Sequence, residues 1–113
     1  MNGVAGPIVA YEAAPAQDFL RLRRSVSVVM VVYMTGEALA RSIECVLADS
    51  LVDQLVVVDN GSTRMEAARL KRLAEGDGRV RLVQGQGNVG FARGANLGAR
   101  AASGDVIVFL NPD

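Results

Sequence analysis

The amino-acid sequence predicts an α/β fold with a doubly wound, mostly parallel sheet. Four short apolar runs rich in β-branched residues alternate with three segments of helical periodicity. Strands that alternate with helices form parallel sheets with right-handed crossovers. The runs are also too apolar to alternate, as expected for strands covered on both faces. In such a sheet, ligands bind beyond the carboxyl ends of the strands.

The predicted elements follow one another between residues 26 and 110. The strands comprise residues 26–33, 54–58, 80–83 and 106–110, and the helices comprise residues 36–49, 64–75 and 91–102. Four apolar side chains of the first helix share one face, at Leu39, Ile43, Val46 and Leu47. Cys45 is interpreted as a small packing residue of that helix. Residues 1–24 are interpreted as a leader or linker, and residues 25–113 as the domain.

The composition excludes several functional classes. Twelve basic residues balance twelve acidic ones, so no net charge attracts nucleic acid. The absence of His excludes triads with a His base, and a single Cys excludes an internal disulfide. No apolar run approaches the ~20 residues of a transmembrane helix. We expect a cytoplasmic protein without a transmembrane segment. The basic cluster at residues 21–24 is interpreted as a solvated linker end, and the alternatives are contact with another part of a longer protein or peripheral contact with the inner face of the membrane.

Asp59 ends the second apolar run and should emerge at the ligand edge of the sheet. Its carboxylate could accept a hydrogen bond from the N–H of a uracil or thymine ring, or from a ribose hydroxyl. The alternative is that Asp59 caps the following helix through the turn of Asn60, Gly61 and Ser62. The residues alone leave both open.

Asn111, Pro112 and Asp113 follow the fourth predicted strand. The amide oxygen of Asn111 and the carboxylate of Asp113 suit Mg²⁺ or Mn²⁺, which would bridge to a diphosphate. Asn-Pro-Asp is also an ordinary turn sequence. A metal site and a simple turn are therefore the two alternatives at this edge.

A glycine-rich segment lies between the third strand and the third helix. Residues 85–90 match the dinucleotide fingerprint, but they follow the third strand instead of the first, which disfavours an NAD-dependent oxidoreductase. Glycine recurs at positions 90, 94 and 98, which predicts either close packing of this helix on the sheet or close approach of a ligand. Arg93 and Asn96 lie near the helix start, where Arg93 could hold a diphosphate or simply be solvated.

Taken together, four segments resemble the family 2 glycosyltransferases, particularly the rhamnosyltransferase-like members. They are VSVVMVVY at 26–33, VVDNGST at 57–63, NVGFARGANLG at 88–98 and GDVIVFLNPD at 104–113. The resemblance implies Rossmann-like βαβ units that form the N-terminal half of a GT-A fold. The family usually has Thr-Tyr-Asn at the end of the first strand, whereas this chain has Val32, Tyr33 and Met34.

The resemblance also implies roles for individual residues. Tyr33 lies beside the nucleotide base, Asp59 binds the base, and Asn111 with Asp113 stand at the Asp-x-Asp position of the family. Asp113 is then the ligand of Mg²⁺ or Mn²⁺. The full set implied to bind the nucleotide sugar is Tyr33, Asp59, Asn60, Gly90, Arg93, Asn96 and Asn111.

The activity that the resemblance implies is inverting transfer of a hexosyl or rhamnosyl group to an acceptor hydroxyl, in polysaccharide biosynthesis. The donor is a UDP- or dTDP-sugar, and the acceptor is a glycan or a lipid-linked sugar. No catalytic residue is assigned to this chain, so we expect a donor-binding module that is inactive by itself and ends at the Asp-x-Asp position. The alternative function is a non-catalytic interaction or assembly domain with a vestigial nucleotide site. If the fourth strand is left as an exposed apolar edge, homo-oligomers could form through it.

Overall fold

The computed structural model describes residues 24–112. Its elements in chain order are β1 (Val26–Tyr33), α1 (Ala38–Ala48), β2 (Gln54–Gly61), α2 (Arg64–Gly76), β3 (Val80–Val83), α3 (Phe91–Ala101) and β4 (Val106–Phe109). Every predicted strand and helix is present. The largest difference is that β2 continues three residues beyond the predicted end, through Asp59 to Gly61. The predicted leader lies outside the described residues except for Arg24, and Asp113 also lies outside them.

The strands form one sheet in the order β3-β2-β1-β4, and each neighbouring pair is parallel. The chain moves outward from β1 to β3 and then returns to the other side of β1. The crossover through α3 covers one face of the sheet, whereas α1 and α2 pack on the opposite face. This arrangement confirms the predicted doubly wound, parallel α/β fold.

Two apolar layers lie on the two faces of the central strands. The larger layer joins β1 and β2 to the first two helices, and its fully enclosed members include Met30, Val32, Leu55 and Val57. The smaller layer lies on the α3 face and is built from Val29, Val56 and Val58. Successive residues of β1 and β2 therefore point into different layers, which explains why these strands show no alternation of apolar and polar residues.

The glycines of α3 allow it to lie very close to the sheet. A Cβ atom at Gly98 would overlap Val29 Cγ1 and lie 3.0 Å from Val58 Cγ2. A Cβ atom at Gly94 would lie 2.9 Å from Asn60 Nδ2. At these two positions the packing alternative accounts for glycine, because any larger residue would push the helix off the strands.

Cys45 is exposed, so its interpretation as a packing residue was wrong. The buried side chains of α1 are Leu39, Ile43 and Val46. Position 45 is turned by about 100° from position 46 around the helix axis, which points its side chain away from the sheet.

A network that we call the amino clasp joins the strands at the amino edge of the sheet; it comprises Ser25, Ser27, Gln54, Ser103 and Asp105. Gln54 Oε1 accepts hydrogen bonds from Ser27 Oγ at 2.7 Å and from the backbone N–H of Ser103 at 2.9 Å. Ser27 is fully buried, and its Oγ accepts from the N–H of Gly104 at 2.9 Å. The amino clasp thereby satisfies the polar groups that enter β1, β2 and β4.

None of the helices in residues 24–112 is long and apolar enough to cross a membrane. Among the described strands, β3 and β4 are the edge strands, since β3 pairs only with β2 and β4 only with β1. Phe109 at the end of β4 is half exposed.

Candidate functional site

A β-bulge ends the pairing between β1 and β2 at the carboxyl edge of the sheet. Val32 is opposite Asp59, but the next residue, Tyr33, is opposite Gly61, so Asn60 is an extra residue on β2. The N–H of Met34 then donates to Gly61 O at 2.7 Å, with Met34 in the left-handed region at φ 47°. Bulges redirect side chains at sheet edges. This one presents Asp59 and Asn60 at the point where ligands bind in sheets of this class.

Asp59 is buried to all but 8% of its surface, and its carboxylate is held by three hydrogen bonds. Oδ1 accepts from the N–H of Gly61 at 3.0 Å and from Ser62 Oγ at 2.7 Å. Oδ2 accepts from Gln84 Nε2 at 3.0 Å. A carboxylate has about four acceptor positions, so Oδ2 keeps one for a further donor. Thr63, and not Asp59, caps α2, through a reciprocal pair of hydrogen bonds with Glu66.

Asn60 is buried to all but 2% of its surface and joins the bulge to the loop after β3. Its Nδ2 donates to Gly90 O at 2.9 Å. Gln86 Nε2 donates to Asn60 Oδ1 at 3.2 Å and to Asp59 O at 2.8 Å. The bulge and the loop 84–90 are therefore one hydrogen-bonded unit. Within the described chain, Gln86 Oε1 is the buried side-chain polar atom left without a partner.

The sequence prediction places the segment 84–90 at the ligand edge but assigns no site role to Gln84 or Gln86. They follow β3 directly and alternate with glycine, so both amides lie at the same sheet edge as Asp59. Two long amides immediately after a parallel strand were the available signal. Their hydrogen bonds to Asp59 and Asn60 depend on the bulge, which local sequence did not reveal.

The loop 84–90 requires glycine at three positions. Gly85, Gly87 and Gly90 have φ values of 98°, 72° and 86°, a region that L side chains rarely adopt. Gly90 is the N-cap of α3, and its N–H donates to Asn88 Oδ1 at 3.0 Å. The first turn of α3 thus begins at the carboxyl edge, where its N–H groups have no partner within the helix.

Three further predicted residues are exposed at or near this edge. Tyr33 is 59% exposed, and its ring lies against Gly61, where a Cβ atom would be 2.8 Å from ring carbons Cδ1 and Cε1. Arg93 and Asn96 are exposed on the first two turns of α3. No ion pair involving Arg93 is present in the part of the chain that the structure describes. Its guanidinium is available to an anionic ligand.

The chain after β4 turns onto α1. The N–H of Leu110 donates to Val29 O at 2.9 Å, and Ser42 Oγ of α1 donates to Pro112 O at 2.5 Å. Asn111 is exposed and lines a groove of about 580 Å³ together with Cys45 and other residues of α1 and β1. The side chains of Asp59 and Asn60 instead form hydrogen bonds with the loop after β3. The predicted metal ligand, Asp113, lies outside the described residues.

The described residues contain no group of three or more His, Cys, Asp or Glu side chains that could hold a metal ion. A site completed by a diphosphate needs only one or two protein ligands, because Mg²⁺ keeps waters and takes phosphate oxygens. The side-chain amide oxygen of Asn111 is a ligand type that fits such a metal site.

Known proteins resemble nearly all of the chain beyond the predicted leader. The family model described as "Glycosyl transferase family 2" matches residues 27–113. Glycosyltransferase GlyG of Streptococcus pneumoniae serotype 4 is 29% identical over 89 residues, covering 78% of this chain and 30% of that protein. An uncharacterized glycosyltransferase of Haemophilus influenzae is 33% identical over 89 residues, covering 78% and 36%. The chain spans about a third of the length of these relatives.

Solved structures share the fold. The mannosyltransferase PcManGT from Pyrobaculum calidifontis, in complex with GDP-Man and Mn²⁺, has a TM-score of 0.71 at 24% identity and covers 80% of this chain and 28% of its own. GalNAc-T7 with UDP, GalNAc and Mn²⁺ has a TM-score of 0.69 at 21% identity and covers 79% and 18%. These similarities confirm the predicted fold class, an α/β layer of the GT-A type.

Proposed function

This chain belongs to glycosyl transferase family 2, and we propose that its carboxyl sheet edge binds a UDP- or dTDP-sugar donor together with Mn²⁺ or Mg²⁺. The bulge at Asp59 and Asn60 is the observation that carries the proposal. It holds a carboxylate with one remaining acceptor position at the ligand edge, beside the exposed ring of Tyr33.

Each part of the donor has a candidate partner. The base would lie against Tyr33 and donate its ring N–H to Asp59 Oδ2. The diphosphate would lie at the start of α3, between the Gly90 N-cap and the exposed side chains of Arg93 and Asn96. Asn111 and Asp113 would hold the metal ion, which neutralises charge on the diphosphate leaving group. Two structural neighbours solved with a guanosine or uridine nucleotide and Mn²⁺ support this assignment.

The reaction that follows from this proposal is transfer of a hexosyl or rhamnosyl group, with inversion, to the hydroxyl of a glycan or a lipid-linked sugar. Family membership supports a transferase. We assign no catalytic base to this chain, and we propose that it works as the donor-binding part of polysaccharide biosynthesis at the cytoplasmic face of the membrane.

The proposal is tested by calorimetric titration of the chain with UDP and dTDP, with and without Mn²⁺. The wild-type protein should bind in the presence of the metal. Asp59→Asn should weaken binding by about tenfold or more, because the amide cannot replace the charge-assisted acceptor. Asp59→Asn is preferred to Asp59→Ala since it can keep the hydrogen bonds from Gly61 and Ser62 and hence the fold.

Asp77→Asn is the matched control, because Asp77 lies before β3 at the opposite edge of the sheet. It should leave nucleotide binding unchanged. Absence of binding by the folded wild-type chain at millimolar UDP and dTDP would contradict the proposed function.

A second function, an assembly domain with a vestigial nucleotide site, is favoured by a different observation. Six of the seven exposed large hydrophobic residues in the described part of the chain lie at the carboxyl ends of strands or the starts of the following helices: Tyr33, Met34, Met65, Phe91, Phe109 and Leu110. Apolar residues that form a contiguous exposed patch mark protein interfaces, and the concentration of these residues at one edge of the sheet supports the assembly hypothesis. We propose that β4, unpaired on its outer side, allows the isolated chain to self-associate. Light scattering should then show a mass that rises with concentration, whereas a strict monomer would contradict self-association.

A further inference from the structure

The amide of Gln84 has a fixed orientation beside Asp59. Since an ionised carboxylate only accepts hydrogen bonds, the atom of Gln84 that lies 3.0 Å from Asp59 Oδ2 must be Nε2 and not Oε1. Nε2 has a second hydrogen, for which the described residues offer no acceptor. Gln84 is half-buried, so its amide can reach a ligand. An N–H donor and a carboxylate acceptor therefore lie side by side at the edge.

Ser62 limits the other oxygen of the same carboxylate. Ser62 Oγ and the N–H of Gly61 fill both acceptor positions of Asp59 Oδ1, at 2.7 and 3.0 Å. Gln84 fills one of the two positions of Oδ2. Asp59 thus offers a ligand one acceptor position instead of the pair of oxygens that a free carboxylate presents.

We propose that Gln84 and Ser62 select the nucleobase of the donor, by making Asp59 a single-acceptor site that favours uracil or thymine over guanine. The inference rests on the proposed function. Uracil and thymine present one N–H between two carbonyl groups, which matches one acceptor on Asp59 and the second N–H of Gln84. Guanine presents two adjacent donors on its ring edge. One of them would be left without a partner beside Asp59, and an unpaired buried donor weakens binding.

The experiment measures the affinities of UDP and GDP for the full 113-residue chain by calorimetry in the presence of Mn²⁺. The wild-type chain should prefer UDP by about tenfold. Ser62→Ala frees one position on Oδ1 and should tighten GDP binding by several-fold while leaving UDP nearly unchanged. Gln84→Leu removes the donor to the pyrimidine carbonyl and should weaken UDP binding by about tenfold. It also frees the second acceptor position of Asp59 Oδ2, so GDP binding should not weaken.

Ser50→Ala is the control, since Ser50 is an exposed serine in the turn after α1. It should leave both affinities unchanged. Thermal unfolding monitored by circular dichroism establishes that each variant is folded, and Ser62→Ala retains two of the three hydrogen bonds to Asp59.

The outcomes separate this inference from the proposed function. A chain that binds UDP and GDP with a ratio unaffected by both substitutions overturns base selection by Gln84 and Ser62 and leaves donor binding intact. A wild-type preference for GDP also overturns the inference. Failure of the folded wild-type chain to bind either nucleotide overturns the proposed function and, with it, the inference.

Discussion

The two edges of the sheet are built differently. At the amino edge, the amino clasp pairs serine, glutamine and aspartate side chains with one another and with the backbone. At the carboxyl edge, by contrast, the ladder is interrupted by a bulge, Met34 and three glycines of loop 84–90 have positive φ, and polar groups such as Arg93 and the second N–H of Gln84 stay available. The polar groups of the amino edge form hydrogen bonds within the fold, whereas some polar groups of the carboxyl edge remain available to a ligand.

Polar residues of the same type therefore have separate roles within one sheet. Gln54 is the first residue of β2, Gln84 directly follows β3, and both side chains are half-buried. Gln54 Oε1 receives donors from two parts of the chain and satisfies them. Gln84 donates once and keeps one hydrogen for another partner. The contrast predicts that substitutions at the amino edge reduce stability, while substitutions at the carboxyl edge reduce binding.

Displacement of α3 should have the greatest effect on stability, because this helix packs on both β1 and β2. Gly98→Leu should lower the free energy of unfolding by about 3 kcal/mol, because the new side chain meets Val29 and Val58 and displaces α3 from the sheet. Urea unfolding followed by circular dichroism measures the change. Gly76→Ala, where a Cβ atom meets nothing within 4 Å, is the control and should not destabilise the protein. A fully stable Gly98→Leu variant would show that α3 does not pack as described.

The next effect concerns the amino edge alone. Gln54→Leu leaves Ser27 Oγ and the N–H of Ser103 without their acceptor, and should lower the free energy of unfolding by about 2 kcal/mol. The UDP affinity of the molecules that remain folded should stay unchanged. Chemical unfolding and calorimetry on the same preparation separate the two. A selective loss of affinity at unchanged stability would contradict the separation of roles between the edges.

A smaller effect is expected at the carboxyl edge. Arg93→Ala should weaken UDP binding by about fivefold, since it removes a cation from the proposed diphosphate site. Its unfolding free energy should change by less than about 0.5 kcal/mol, because the side chain is exposed. Arg100→Ala in the last turn of the same helix is the matched control for charge. Equal losses of affinity in both variants would indicate a general charge effect instead of a diphosphate contact.

The smallest effect depends on pH. The hydrogen bond from the Arg79 side chain lowers the pKa of Asp77 below 3.8. A carboxyl whose folded pKa is lowered stabilises the fold above its unfolded pKa and loses that contribution as pH falls through the folded value. Asp77→Asn should therefore be slightly less stable than the wild type at about pH 6. The difference in urea midpoint should shrink below pH 3.8, and a difference independent of pH would contradict it.

The sheet was predictable because its determinants are local. The apolar runs and the turn residues between them predicted all seven elements. The glycine at position 98 predicted a close approach of either the sheet or a ligand, and the structure shows the sheet there. The site was less predictable. The bulge continues β2 through Asp59 and Asn60, which carry none of the apolar signal of a strand, and pairing with β1 alone determines where the strand ends. The orientation of Cys45 and the hydrogen bonds of Gln84 and Gln86 also depend on neighbours distant in sequence.

The bulge at Asn60 also bears on how this edge can change in evolution. The ladder from Ser27 to Val32 is in register before the extra residue is reached. An insertion or deletion beyond Val58 would therefore alter the residues that face a ligand without shifting the strands of the core. An alignment that requires equal lengths across this segment would pair residues that do not occupy the same place in the sheet.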